Sequence, residues 1–477
     1  MSQDKKVIQF VKGSTVLVIA NIVLKAINFF FLPLYTNYLN PTELGISDTI
    51  TTLTSFLFPL LVMGMDSAFS AFFYEEKSKE HQSKVFNTVW YTLFYSSLFP
   101  LILIVFSRKL SQFLFETPDY QVLISVALVS VSIQIWLLPF SLLLRMQNRM
   151  AAFSAINVVS SLVMIGFNLL FIVGFRWNAY SLVASTFLTH SVQLFMYYFI
   201  TKEKLQRDKV DAALRKLMLR FSLPLLPTVI AVWILGMSDR LIIKAFLGES
   251  SVGIYGIGAR FSGVLAIVSN AVYTAYTSFA FNKKDDPDAK KQFRRVISGF
   301  FLVMYNICFI VSLFGKEIVL LMTNASYYSA YEILPGILFG QLAYGIFTIS
   351  SYGISFTKKT VYYFIATVIG AFASVSLNIL LIPRIGLIAA GHVNFIGYFL
   401  MAAFGYAFSQ KVYPCDYGIT RILATSVTGY FAIIFAQGTS IIFKIFLSIF
   451  MISASCTVFV DVLRDFSLLY KALRIKN

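Results

Sequence analysis

The sequence predicts an all-α polytopic membrane protein. It has about 14 transmembrane helices, as two six-helix bundles in a parallel pseudo-twofold repeat around a central cavity, plus two C-terminal helices. Three observations predict this. The 477 residues are 58% hydrophobic and only 13% charged, with a mean hydropathy of +0.76, which no soluble globular domain shows. Apolar runs of about 20 residues, the length a helix needs to cross a bilayer, recur from end to end. They are unbroken rather than alternating, so they read as helices and not as barrel strands. Finally, Leu39-Asn-Pro-Thr-Glu-Leu-Gly45-Ile46 returns as Leu247-Gly-Glu-Ser-Ser-Val-Gly253-Ile254, at an offset of 208 residues that also places Ser70 on Ser278 and Phe73 on Phe281. An even number of spans separates the copies, so both point the same way across the membrane.

The first bundle covers 1–200, with spans near 13–38, 46–73, 85–107, 122–144, 151–174 and 179–200. Residues 201–220 read as a cytoplasmic linker. The second bundle covers 221–409, with spans at 221–238, 252–281, 296–314, 333–355, 361–382 and 387–409. Two extra spans, 421–437 and 441–463, and a cytoplasmic tail make up 410–477. Helices end at Pro, Gly and polar clusters such as Asn40-Pro41 and Pro383 to Gly386. No cleavage-site pattern follows the first span, which reads as retained.

Net charge is +17, but basic residues in a membrane protein gather in cytoplasmic loops, so nucleic acid is not implied. With the N-terminus inside, 29 of the 39 Lys and Arg fall on its side, 8 fall opposite, and Lys25 and Arg260 lie within spans. This puts both termini in the cytoplasm. Cys308, Cys415 and Cys456 show neither a metal-ligand spacing nor a disulfide framework.

Charges inside spans carry the functional reading, because a charge at the bilayer centre costs about 3 kcal/mol or more and persists where it faces a polar interior. Lys25 lies some twelve residues from either end of its span, about 18 Å at 1.5 Å per residue, too far to reach the headgroups comfortably. Asn21 and Asn28 share its helical face, so the three read as cavity lining, although either Asn could bond across helices instead. Arg260 can contact substrate phosphate bidentately or pair with an acid on a neighbouring helix. Asp239-Arg240 reads as an ion pair at the end of the seventh span, or as a gate. Asp66 neutralises Arg145 or Arg149, or belongs to an inner gate. His190 and His392 can carry protons or simply be hydrogen-bonded. Gly253-x-x-Gly256-x-Gly258 has no strand before it and serves packing rather than a nucleotide.

The chain resembles the polysaccharide flippases of the multidrug/oligosaccharidyl-lipid/polysaccharide exporter superfamily, in particular the Wzx-type O-antigen and capsule repeat-unit translocases. The matching pieces are Leu39 to Ile46; Gly64-Met65-Asp66-Ser67-Ala68-Phe69 leading to Phe73-Tyr74; Leu144-Arg145-Met146-Gln147-Asn148; Ser238-Asp239-Arg240; Val252-Gly253-Ile254-Tyr255; and Leu377 to Gly386 followed by Ala389-Ala390. Each is weak alone; their order and spacing make the set. The resemblance implies an oligosaccharide on undecaprenyl diphosphate as cargo, moved from the cytoplasmic to the periplasmic leaflet of a bacterial inner membrane. It also implies basic residues of the first and eighth helices in the cavity, which Lys25 and Arg260 match by helix only. Membrane lipids and polysaccharide polymerase machinery are the implied neighbours. No cofactor is expected; proton or sodium coupling fits. The rivals are a multidrug cation antiporter of the same superfamily and, less well matched, a membrane polysaccharide polymerase or ligase. The latter would want a large outer loop and an acid cluster, and the sequence shows neither.

Overall fold

The computed structural model describes residue 29 and residues 31–76, 78–202 and 211–464. These form helices joined by short connections, with no strand among the described residues. Among the described residues, eleven helical runs are long and apolar enough to cross a membrane, so the chain is a multi-pass membrane protein. A helix stands at each expected span from the second to the fourteenth. Of the expected first span, only the end is described, as Leu32–Tyr38; Lys25, Asn21 and Asn28 lie outside the described residues. Tyr180–Thr201 is helical but is not among the eleven, since Ser, Thr, His and Gln dilute its apolar residues.

The chain divides into two compact units, Met1–Trp233 and Ile234–Asn477. The first opens with α1 (Leu32–Tyr38) and α2 (Pro41–Val62). Asn40 starts α2 with a capping box: its side chain accepts from Glu43 N–H, and Glu43 accepts from Asn40 N–H, both at 2.9 Å. Met63 and Gly64 are both left-handed and end the helix before α3 (Met65–Phe72). Then come α4 (Lys79–Ser96), α5 (Leu98–Leu103), α6 (Ser107–Phe115), α7 (Gln121–Met146), α8 (Met150–Leu169) and α9 (Tyr180–Thr201). α7 is the unit's core: Ile124, Leu128, Ile135 and Leu144 are fully buried along its length and on more than one face, as a helix surrounded by others requires.

Part of the expected linker, 201–220, is helical. Ala212–Ser222 is a helix, α10, capped by the Asp211 side chain. It docks on α3 at Gly64, where a Cβ would come within 2.9 Å of the Ser222 carbonyl oxygen. Its Leu, Met and Phe residues give it an apolar side, and Met218 is fully buried.

A continuous helical run, α11 (Leu226–Lys283), crosses the unit boundary and breaks at Gly248 (φ 79°, ψ 179°). The expected end of the seventh span at 238 is therefore wrong; the helix continues to the break. Its charges are tolerated because Asp239 pairs with Arg240 at 3.3 Å and Lys244 with Glu249 at 3.0 Å. The repeat lands on this feature: Asn40 and Gly248, equivalent at the 208-residue offset, are both the residue at which a span begins.

The second unit continues with α12 (Ala289–Leu313), α13 (Gly315–Met322), α14 (Ala330–Ser350), α15 (Tyr352–Phe356), α16 (Val361–Ile385), α17 (Leu387–Val412), α18 (Ile419–Ala436) and α19 (Ile441–Val458). α14 and α17 meet backbone to backbone where Gly336 lies against Gly391. α16 and α17 meet at Gly370, where a Cβ would come within 2.6 Å of the Gly397 carbonyl oxygen. Small residues at helix crossings are how membrane helices gain close packing. The last two helices lie on α12, with Ser455 donating to Asn306 Oδ1 at 3.1 Å. Buried Lys444 of α19 reaches both oxygens of Glu317 on α13, at 2.7 and 3.0 Å.

Candidate functional site

The clearest polar site inside the second unit is built around Asp239, which is 2% exposed. One carboxylate oxygen accepts from the Arg240 backbone N–H at 2.8 Å and from its guanidinium at 3.3 Å. The other accepts from the Tyr255 hydroxyl. In a straight helix Asp239 and Tyr255 would stand about 24 Å apart, sixteen residues at 1.5 Å each. They touch because the chain folds back at Gly248. Arg240 then lies 5.5 Å from the centre of the Tyr255 ring and donates to the Gly236 carbonyl at 3.4 Å. Asn394 of α17 donates to the Tyr255 hydroxyl at 3.5 Å.

These groups, with Gln341 of α14 and Tyr398 of α17, line a cavity of about 180 Å³. Its floor is kept open by small residues, Gly236, Ala259, Ser262 and Gly263. The acid is fully engaged by a guanidinium, a backbone N–H and a phenol. An ion pair removed from water needs such satisfaction to offset desolvation. The site is therefore a neutral, hydrogen-bonding cavity rather than an open anionic one.

The remaining sequence-predicted residues scatter. Arg260 is half-buried on the helix that carries Tyr255, about 100° further round than the cavity-lining Ala259, so it serves another face. Asp66 is exposed in the first turn of α3 and, among the described residues, pairs with neither Arg145 nor Arg149. Arg145 instead lies 5.9 Å from the centre of the Phe153 ring, and Arg149 donates to the Ile200 carbonyl at 3.2 Å. His190 Nδ1 is 2.9 Å from Ser130 Oγ. His392 Nδ1 is hydrogen-bonded to the Tyr430 hydroxyl. Each histidine thus joins two helices of one unit. Sequence reasoning missed Asn394, Tyr398 and Gln341; a polar amide inside an apolar span was the available signal.

The architecture is that of the multidrug/oligosaccharidyl-lipid/polysaccharide exporter fold. A solved structure titled as the lipid II flippase MurJ in an inward closed conformation matches with a TM-score of 0.70 at 17% identity, covering 96% of this chain and 99% of that one. An inward-facing multidrug resistance MATE family transporter matches with a TM-score of 0.66 at 14% identity, covering 86% and 99%. A superfamily transporter from Pyrococcus furiosus, whose title describes a binding pocket of reversed polarity, matches at 0.57 and 14% identity, covering 84% and 95%. No curated protein is significantly similar in sequence. Residues 36–332, well over half of the chain, match the family described as polysaccharide biosynthesis protein, and the chain belongs to that family.

Proposed function

We propose that the protein is a flippase, not an enzyme, for undecaprenyl-diphosphate-linked oligosaccharide repeat units. It carries them from the cytoplasmic to the periplasmic leaflet of a bacterial inner membrane for O-antigen, capsule or exopolysaccharide synthesis. The observation that carries this reading is the pairing of a polysaccharide biosynthesis family with an exporter fold over nearly the whole chain. In the proposed cycle two six-helix bundles rock about a central cavity, Lys25 and Arg260 hold the diphosphate, and the prenyl tail stays in lipid. Both termini lie in the cytoplasm.

The multidrug-antiporter reading asks for an acid open to a cationic cargo. Asp239, the buried acid of the second unit's cavity, is already neutralised by Arg240, which weighs against that reading.

The test is a chromosomal deletion complemented in trans. Wild-type protein restores surface polysaccharide. The Lys25→Ala/Arg260→Ala double variant, at unchanged protein level, abolishes it and leaves lipid-linked repeat units in the inner leaflet. Full activity of that variant removes the charged-cavity mechanism.

A further inference from the structure

A second cavity lies wholly within the first unit, where α2, α7 and α9 begin. It measures about 670 Å³, inside the range of small-molecule sites. Its walls include Glu43, Tyr120, Arg176, Trp177, Asn178 and Tyr180.

The frame is fixed. Ser47 donates to the Ala179 carbonyl at 2.8 Å, and the Tyr180 hydroxyl to the Asp119 carbonyl at 3.0 Å. Trp177 stacks on buried Phe171 at 4.6 Å with the rings 4° from parallel, and Phe175 stands 5.5 Å away. The loop between α8 and α9 follows a π-helical turn, Leu170–Gly174, and holds Arg176 and Asn178 in the left-handed region, at φ 52° and 49°. Asn adopts that region readily, whereas Arg rarely does.

Within this rigid frame the polar groups are idle. Among the described residues, the Arg176 guanidinium, the Trp177 indole N–H and the Asn178 amide have no hydrogen-bond or ion-pair partner. Only one Glu43 oxygen is engaged, by the Asn40 N–H.

We propose that this cavity is a carbohydrate-binding subsite that seats a sugar ring of the transported glycan. Sugars present hydroxyls that both donate and accept, and a face of C–H groups. Here a carboxylate, a guanidinium, an amide and an indole N–H stand beside aromatic rings. A lipid phosphate would also suit Arg176, but the Glu43 carboxylate in the same wall repels an anion. An aromatic anchor at the membrane interface needs no surrounding carboxylate and amide. The proposal rests on the flippase reading for the source of the sugar, and the proposed orientation puts the subsite on the outer side.

The test uses the full chain in lipid nanodiscs. The probe is oligosaccharide released by mild acid from the producing cell's own surface polysaccharide, with binding followed by calorimetry. Wild-type protein should bind saturably. Trp177→Ala and Asn178→Ala should weaken binding at least tenfold, Trp177→Phe should retain it, and Phe113→Ala, exposed elsewhere, should leave it unchanged. Asn178 and Arg176 are exposed, so Asn178→Ala and Arg176→Gln decide the matter if Trp177→Ala does not fold. Absence of saturable binding by the wild type, or unchanged affinity in both Trp177→Ala and Asn178→Ala, overturns the proposal. So does binding of dihexanoyl phosphatidylglycerol that depends on Arg176 and Trp177 in a chain that binds no sugar. Surface polysaccharide restored by a chain that binds no sugar sinks the subsite alone. Sugar binding by a chain whose deletion leaves polysaccharide intact sinks the transport reading instead.

Discussion

Replacing Asp239 with asparagine leaves the Arg240 guanidinium buried beside a neutral amide. Breaking a buried pair from one side costs about 3–5 kcal/mol, because the surviving charge stays desolvated. Asp239→Asn and Arg240→Gln should each lower the thermal midpoint of purified protein by several degrees. The Asp239→Asn/Arg240→Gln double variant should recover much of the loss, since it strands no charge. Equal loss in singles and double would mean the pair contributes nothing beyond its separate hydrogen bonds. The same residues show what was legible in the chain. A charge in an apolar run announces itself, so Asp239 and Arg240 stood out. The Tyr255 hydroxyl that completes the site did not, because its contact exists only through the reversal at Gly248. The expected meeting of Asp66 with Arg145 or Arg149 was also absent; nearness along the chain and a shared membrane side do not fix a side chain's direction.

Helices proved more legible than their ends. Apolar runs located a helix at every described span, yet the seventh ran on past its expected end, since local ion pairs let charges sit inside a span. Charge density likewise made 201–220 read as a linker, although Ala212–Ser222 is a helix that packs on α3. Packing between helices was invisible in the sequence and is concentrated at a few glycines. At Gly336 an added side chain meets the Gly391 backbone, which cannot step aside. At Gly258 it meets only the side-chain ends of Ile333 and Ile337, at 2.9 and 3.0 Å. Gly336→Val should therefore abolish stable expression, whereas Gly258→Ala should cost a few degrees of thermal midpoint at most. The reverse order would mean that the α14–α17 contact is not what holds the second unit. The tie between α13 and α19 adds a pH dependence. Burial works to raise the Glu317 carboxyl, but Lys444's hydrogen bond and charge outweigh it and hold the carboxyl below its usual range. A carboxyl depressed in the folded state stabilises fully above the unfolded value of about 4.3, and that gain fades as pH falls through the lower folded value. Thermal midpoints measured from pH 6 down to 3 should fall further for wild type than for Glu317→Gln. Parallel curves would show that the pair does not titrate with folding.

At the scale of the molecule, the direction of transport depends on which way the chain sits in the bilayer. In the proposed orientation, which rests on the bias of basic residues, the loops at 284–288 and 357–360 face the cytoplasm and the loop at 175–179 faces out. That bias acts through short loops close to span ends, which describes the connections here. In a chain whose three cysteines, Cys308, Cys415 and Cys456, are replaced by serine, two single cysteines can read the orientation. Lys359→Cys and Phe175→Cys both place the thiol at an exposed loop position. Intact spheroplasts treated with a membrane-impermeant maleimide should label the second and spare the first, and lysis should then label both. The opposite pattern would invert the proposed orientation. It would place the 175–179 cavity inside the cell, where it would meet a sugar before transport rather than after. Labelling of both sites in intact cells would mean that an even number of crossings separates 175 from 359 in some molecules, and a single cytoplasmic-to-periplasmic cycle would no longer describe the protein.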